Sequence, residues 1–223
     1  MNVSRWFRDL RFRLFYLLVT RPRPGLITLG GECQWTLSPQ GLGPGSVVLS
    51  AGAGHDISFE RELIKRFGCR VVLLDPSPTG IATVQRENLP SDRLTFFPVG
   101  LAGADETVTF QAPKDAAEGS FVGSSRGGDF QFACRSLSSL MTEFGWNRID
   151  LLKIDIEGFE YAVFEELLRA RLDVRQICVE FHHGPQFGRP NRDTVRMILA
   201  LRKAGYDLIH RFYWDHTFLL RER

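Results

Sequence analysis

The sequence predicts an α/β fold: a mostly parallel sheet, helices on both faces, and an antiparallel hairpin at the C-terminus. Three observations carry this. From residue 47 onward, short apolar runs alternate with segments of helical period, and parallel strands need such crossovers. The last two apolar segments, 206–213 and 217–221, are parted only by Trp214, Asp215 and His216, which makes them a hairpin. The composition, 43% hydrophobic and 24% charged over 223 residues, suits one globular domain with an appendage.

The appendage is residues 1–24. Val3, Trp6, Phe7, Leu10, Leu14, Leu17 and Leu18 recur at helical spacing, and Pro22 and Pro24 stop the run. Six arginines (Arg5, Arg8, Arg11, Arg13, Arg21, Arg23) stand against Asp9 in this stretch. Such a basic amphipathic helix docks on the protein's own core or lies peripherally on an anionic membrane. Its apolar run is too short to span a bilayer. The net charge is +2, so the rest of the chain is slightly acidic, unlike a dedicated nucleic-acid binder. Cys33, Cys69, Cys134 and Cys178 form no CxxC pair, which argues against a structural zinc and for a reducing compartment, the cytoplasm.

A single domain is expected over 25–223. The Gly- and Pro-rich stretch 25–46 holds a small hairpin near Trp35. Then come a strand at 47–50, a helix at 57–67, a strand at 70–74, a helix at 79–87 and a strand at 94–99. Strands at 107–110 and 130–135 flank the Gly- and Ser-rich loop 119–128, and 137–144 is helical. A fourth core strand covers 149–156, a helix 159–169, a fifth strand 176–181 and a helix 191–204.

The stretch VVLSAGAGHDISFE at 47–60 ends an apolar strand in two glycines and runs into a helix. In open α/β sheets the ligand lies beyond the carboxyl ends of the strands. Gly52 and Gly54 let the backbone approach it closely. A dinucleotide fingerprint needs a third glycine where Ile57 stands, and no Gly-Lys-Ser/Thr phosphate loop is present. S-adenosyl-L-methionine carries no phosphate and needs a close glycine turn with an acid for its ribose. Asp75, at the tip of the second strand and 21 residues after Gly54, could accept both ribose hydroxyls.

The stretch IDLLKIDIEGFE at 149–160 is unusual, because a central parallel strand is normally apolar on both faces. Alternation places Lys153, Asp155 and Glu157 on one side. A lysine there is costly unless paired, so an ion pair with Asp155 or another acid is expected. The fifth strand ends in ICVEFHH, with Glu180 and His182 on one side. Were the two strands neighbours, Asp155, Glu157, Glu180 and His182 would converge. Such a set offers general acid–base groups, and it also admits a divalent metal, which is not favoured.

Taken together, SAGAGHDISFE, FGCRVVLLDPSP at 67–78 and IDLLKIDIEGFE resemble the FkbM-type S-adenosylmethionine-dependent methyltransferases, in the methyltransferase-like branch whose motifs read roughly SxGxGxDISFE and DPxP. The resemblance is strong over residues 45–183. It implies a class I, Rossmann-like methyltransferase fold and methylation of an oxygen on a small-molecule or glycan-type acceptor. It implies that Ser50, Gly52, Gly54 and Asp56 border the methionine part, that Asp75 with Pro76 holds the ribose, and that Gly100 and Leu101 lie near the adenine. Asp155 is then expected to face the donor's amino group or the acceptor. A non-catalytic donor-binding module and a nicotinamide-dependent oxidoreductase remain as alternatives.

Overall fold

The computed structural model describes residues 13–87, 92–111, 121–123, 128, 130–184 and 187–222. The chain opens with a helical stretch over residues 13–19 (α1) and a small antiparallel hairpin, β1 (Ile27–Leu29) and β2 (Trp35–Leu37). Next come β3 (Val47–Ala51), α2 (Ser58–Phe67), β4 (Arg70–Leu74), α3 (Pro78–Glu87) and β5 (Leu94–Phe97). A small second sheet follows, of β6 (Gly100–Leu101), β7 (Glu106–Gln111), β8 (Val122–Gly123) and β9 (Phe130–Arg135). The chain then returns through α4 (Leu137–Glu143), β10 (Ile149–Ile154), α5 (Glu160–Ala170), β11 (Val174–Glu180), α6 (Asn191–Lys203), β12 (Tyr206–Phe212) and β13 (Asp215–Leu220).

The main sheet runs β12-β13-β11-β10-β3-β4-β5. The strands from β11 to β5 pair in parallel, and β13 is inserted antiparallel between β11 and β12. This is the expected layout. The chain winds outward from β3 to β5, then restarts at β10 on the other side of β3 and winds the opposite way. The β3–β10 boundary is therefore the topological switch point, where ligands bind in open α/β sheets.

One face of the sheet is covered by α1, α4, α5 and α6, through Tyr16, Leu140, Phe164 and Ile198 among others. The other is covered by α2, α3 and the β1–β2 hairpin, through Phe59, Leu63, Val84, Leu29 and Trp35. Strand ends differ from the sequence expectation where backbone chemistry intervenes. β5 stops at Phe97 because Pro98 has no N–H to donate. β10 stops at Ile154, not residue 156, because the chain turns through Glu157 and Gly158 at φ 54° and 105°. β13 begins at Asp215, so only Tyr213 and Trp214 form the hairpin turn, and Asp215 and His216 belong to the sheet.

The α1 segment docks on the closing hairpin. Tyr16 and Val19 are buried, and the Arg21 amide donates to the Leu208 carbonyl at 2.7 Å. Leu14, Leu17 and Leu18 face outward. Val3, Trp6, Phe7 and Leu10 of the expected amphipathic face lie outside the described residues. Among the described residues no helix is long and apolar enough to cross a membrane. The Tyr16 hydroxyl meets His216 Nε2 at 2.8 Å, and His216 Nδ1 lies 2.6 Å from the Trp214 carbonyl. A carbonyl only accepts, so Nδ1 carries the proton and Nε2 accepts from the tyrosine.

Burial holds the His216 imidazole neutral and pushes its pKa down to about 3. A depressed histidine contributes stability above its unfolded pKa, and that stability is lost as pH falls toward the folded value. Between about pH 6.5 and pH 3, wild-type unfolding free energy is expected to fall more steeply than that of His216→Gln, by up to a few kcal/mol. Urea titrations at several pH values check this; parallel slopes would refute it.

Candidate functional site

At the carboxyl ends of β3 and β10 the glycine turn is tightly determined. The Gly52 amide donates to the Leu74 carbonyl at 2.9 Å, and Gly52 sits at φ 93°. A Cβ there would stand 2.0 Å from the Asp155 carbonyl oxygen. The Gly52 carbonyl is held by Lys153 Nζ. This corrects the expected ion pair. Lys153 is buried, donates to a backbone carbonyl and lies 5.3 Å from the centre of the Trp35 ring. Among the described residues no carboxylate comes within ion-pair distance of its ammonium. It acts on acids through its field: burial raises the pKa of Glu60 and of Asp215, and the Lys153 charge only partly offsets that rise.

Beyond this turn lies a cavity of about 300 Å³. Gly52, Gly54, Asp56, Asp75, Pro76, Gly100, Leu101, Asp155 and Glu157, all expected from the sequence, line it. Ser50 does not. Its hydroxyl lies beneath the turn and donates to Glu60 Oε1 at 2.5 Å. The Asp56 carboxylate reaches the cavity edge but is committed. Oδ2 accepts from the Glu32 and Cys33 amides at 2.9 and 3.0 Å, and Oδ1 accepts from the Ser58 amide at the start of α2 at 2.8 Å. It ties the β1–β2 hairpin loop to the helix, and these bonds hold its pKa low although burial opposes them.

Asp75 is likewise engaged. Its Oδ2 accepts from the Ala53 and Gly54 amides at 2.8 and 3.1 Å, and its Oδ1 from the Ser77 amide at 2.8 Å. A carboxylate offers about four acceptor positions. One acceptor position therefore remains for a further donor.

The far wall is aromatic: Phe110, Phe121, Phe132 and Phe159. The Phe110 ring lies 5.2 and 5.4 Å from Phe132 and Phe159, and the small second sheet presents it. Sequence reasoning passed over this wall. Its signal was there, since Phe130, Phe132 and Cys134 alternate along β9. Phe121, from the Gly- and Ser-rich stretch 119–128, also belongs to the wall.

On the other side the cavity meets a groove of about 490 Å³ through Glu32, Cys33 and Asp155. Glu180, Asp215, Trp214 and Tyr213 line this groove. The expected convergence at the ends of β10 and β11 is present. His182 Nε2 lies 3.7 Å from Asp155, 3.5 Å from Glu157 and 4.0 Å from Glu180. Two members were missed. Glu160 is fully buried and accepts from His182 Nδ1 at 2.6 Å. Asp215 faces Glu180 directly across the strand pair.

The electrostatics follow from this crowding. Burial and then the Asp155 charge push Glu180 up to about 7 and Asp215 up to about 6. Burial lowers the His182 pKa, but the hydrogen bond and charge of Glu160, then Glu157 and Asp155, outweigh it and raise it to about 10. At neutral pH this favours the protonated, cationic form of His182. A larger cavity, about 820 Å³, lies elsewhere, among Arg148, Asp173 and Arg175 at the amino ends of β10 and β11. Neither the glycine turn nor the acidic set reaches it, so the site belongs at the carboxyl end.

The family model "Methyltransferase FkbM domain" matches residues 44–208, which takes in the glycine turn, Asp75 and the acidic set except Asp215. The chain belongs to the FkbM methyltransferase family. Among curated proteins it is similar to "Probable methyltransferase-like protein 24" of Rattus norvegicus, 28% identical over 174 residues, and of Homo sapiens, 27% identical. These matches cover 74% of this chain and 42% of each relative. Among solved structures it is similar to a methyltransferase FkbM from Methylobacillus flagellatus KT. That match has a TM-score of 0.49 and 17% identity, and covers 92% of this chain and 49% of that one.

The geometry separates the two glycines of this FkbM turn. Gly54 sits at φ 51° with nothing within 4 Å of an added Cβ, so Gly54→Ala should cost about 1 kcal/mol of stability. Gly52→Ala adds a backbone clash and should cost about 3 kcal/mol or more. Denaturant unfolding of the two variants checks this; equal losses would contradict the tight turn.

Proposed function

We propose that this FkbM-family protein transfers the methyl group of S-adenosyl-L-methionine to a hydroxyl oxygen of a small-molecule or glycan-type acceptor. The observation that carries the reading is the adjacency of two spaces. A cavity at the switch point, half glycine turn and half aromatic wall, shares Glu32, Cys33 and Asp155 with an acidic groove that has an aromatic rim. The first suits a nucleoside with an amino acid tail. The second suits a polyol, whose hydroxyls bond carboxylates while its C–H faces pack on rings.

The same turn disfavours a dinucleotide. A pyrophosphate would need the free amides at the start of α2, and the Asp56 carboxylate already occupies the Ser58 amide. An anion placed beside Asp56 would also be repelled.

In this mechanism the acceptor oxygen attacks the donor methyl carbon in line with its bond to sulfur. The new C–O bond forms as the C–S bond breaks, leaving S-adenosylhomocysteine as a neutral thioether. The hydroxyl proton passes to a carboxylate. Glu180 is the best placed base: it lines the groove and its pKa of about 7 is near the operating pH. Asp155 lines both spaces and stands where donor and acceptor meet. Alignment of the two supplies much of the acceleration.

Calorimetric titration of S-adenosylmethionine should give micromolar binding, about −8 kcal/mol, weakened at least about tenfold in Asp75→Ala by loss of one charge-assisted bond. Failure of the folded wild type to bind would sink the donor reading. Glu180→Gln should retain donor affinity and lose about 10²–10⁴-fold in turnover of a hydroxyl acceptor. An unchanged rate would remove Glu180 as base. Donor binding with no turnover of any acceptor would instead favour a non-catalytic binding module.

A further inference from the structure

We propose that Asp155, Glu157 and His182 form a binding site for a divalent metal cation on the acceptor side of the cavity. Each offers one ligand atom, and these atoms all lie within 4.8 Å of one another. Two atoms that each bind one ion at about 2.1 Å stand roughly 3–4 Å apart. The contacts from His182 Nε2 to Asp155 and Glu157, at 3.7 and 3.5 Å, have that spacing.

The histidine is the independent sign. Its side chain is only 5% exposed, and its Nε2 points into the carboxylates. Yet the nearest oxygen, at 3.5 Å, is beyond the usual range for an N–H···O bond. Among the described residues Nε2 has no hydrogen bond, whereas Nδ1 has a short one to Glu160. That is the arrangement of a metal-bound imidazole, whose second nitrogen donates to a carboxylate that fixes the ring. Glu160 is fully buried, and its Oε1 also accepts from the Gly158 amide at 3.0 Å. It positions His182 without reaching the cavity.

A cation here would take the place of the Nε2 proton and balance the crowded acids more fully than an imidazolium does. One imidazole with two carboxylates suits manganese, iron or zinc better than calcium. The use of such an ion, to hold an acceptor oxygen beside Asp155, rests on the methyl-transfer reading above. Its binding does not.

The test is titration of Mn²⁺ alone into the intact protein, followed by the electron paramagnetic resonance signal of the free ion. One equivalent should bind, at least about tenfold more weakly in Glu157→Gln and Asp155→Asn. Glu160→Gln, which touches no ion, should weaken it about 10- to 100-fold. No binding by the folded wild type at millimolar Mn²⁺, or binding unaltered in Glu157→Gln and Asp155→Asn, overturns the proposal. S-adenosylmethionine titrated with chelator present reads the donor site separately. Donor binding in a protein that holds no Mn²⁺ removes the cation site and leaves the methyltransferase reading standing.

Discussion

A lysine ammonium on a glycine carbonyl, Lys153 on Gly52, holds the working end of this protein together. Lys153 is buried and Gly52 half-buried, and a buried ammonium would be costly to leave unpaired. Their contact stitches β10 to the turn after β3, across the point where the winding of the sheet reverses. With Gly52 fixed, its neighbour Asp155 comes so close that no side chain fits between them. The amides of Ala53 and Gly54 then face Asp75. The floor of the cavity is thus a chain of backbone contacts, each set by the one before it.

The groove beside it has the opposite character. Asp155, Glu157, Glu160, Glu180 and Asp215 gather around one histidine, with Lys153 behind. Burial and then the crowding of like charges make Glu180 and Asp215 rise, while the surrounding acids drive His182 to keep its proton. Only Glu160 is spent on position. The others line the cavity or the groove, and Glu157 is held at a positive φ that a non-glycine residue adopts at some cost. That concentration of charge weakens the folded state and readies the groove for a hydroxyl proton or a cation.

Much of this was legible in the sequence. The alternation of period gave the parallel order and the closing hairpin, and the glycines and strand-end acids marked the right end of the sheet. Ser50 and Asp56 show the limit. A sequence does not say that a hydroxyl turns beneath the turn to Glu60 or that a carboxylate is used up by a distant loop. Lys153 shows another: acids lay near in sequence, yet its acceptor is a carbonyl of the turn after β3, 101 residues away. The aromatic wall was missed because it is assembled from β7, β9, Phe121 and Phe159, which meet only in the fold.

The central claim is that the cavity between the Gly52 turn and the Phe110–Phe132 wall is the methyl donor site. A crystal structure with S-adenosylhomocysteine tests it most directly. The account predicts the sulfur near Gly52 and Asp155, the ribose at Asp75 and the adenine against the phenylalanines. A ligand bound elsewhere, such as the larger cavity near Arg148, with the glycine turn left free, would contradict it.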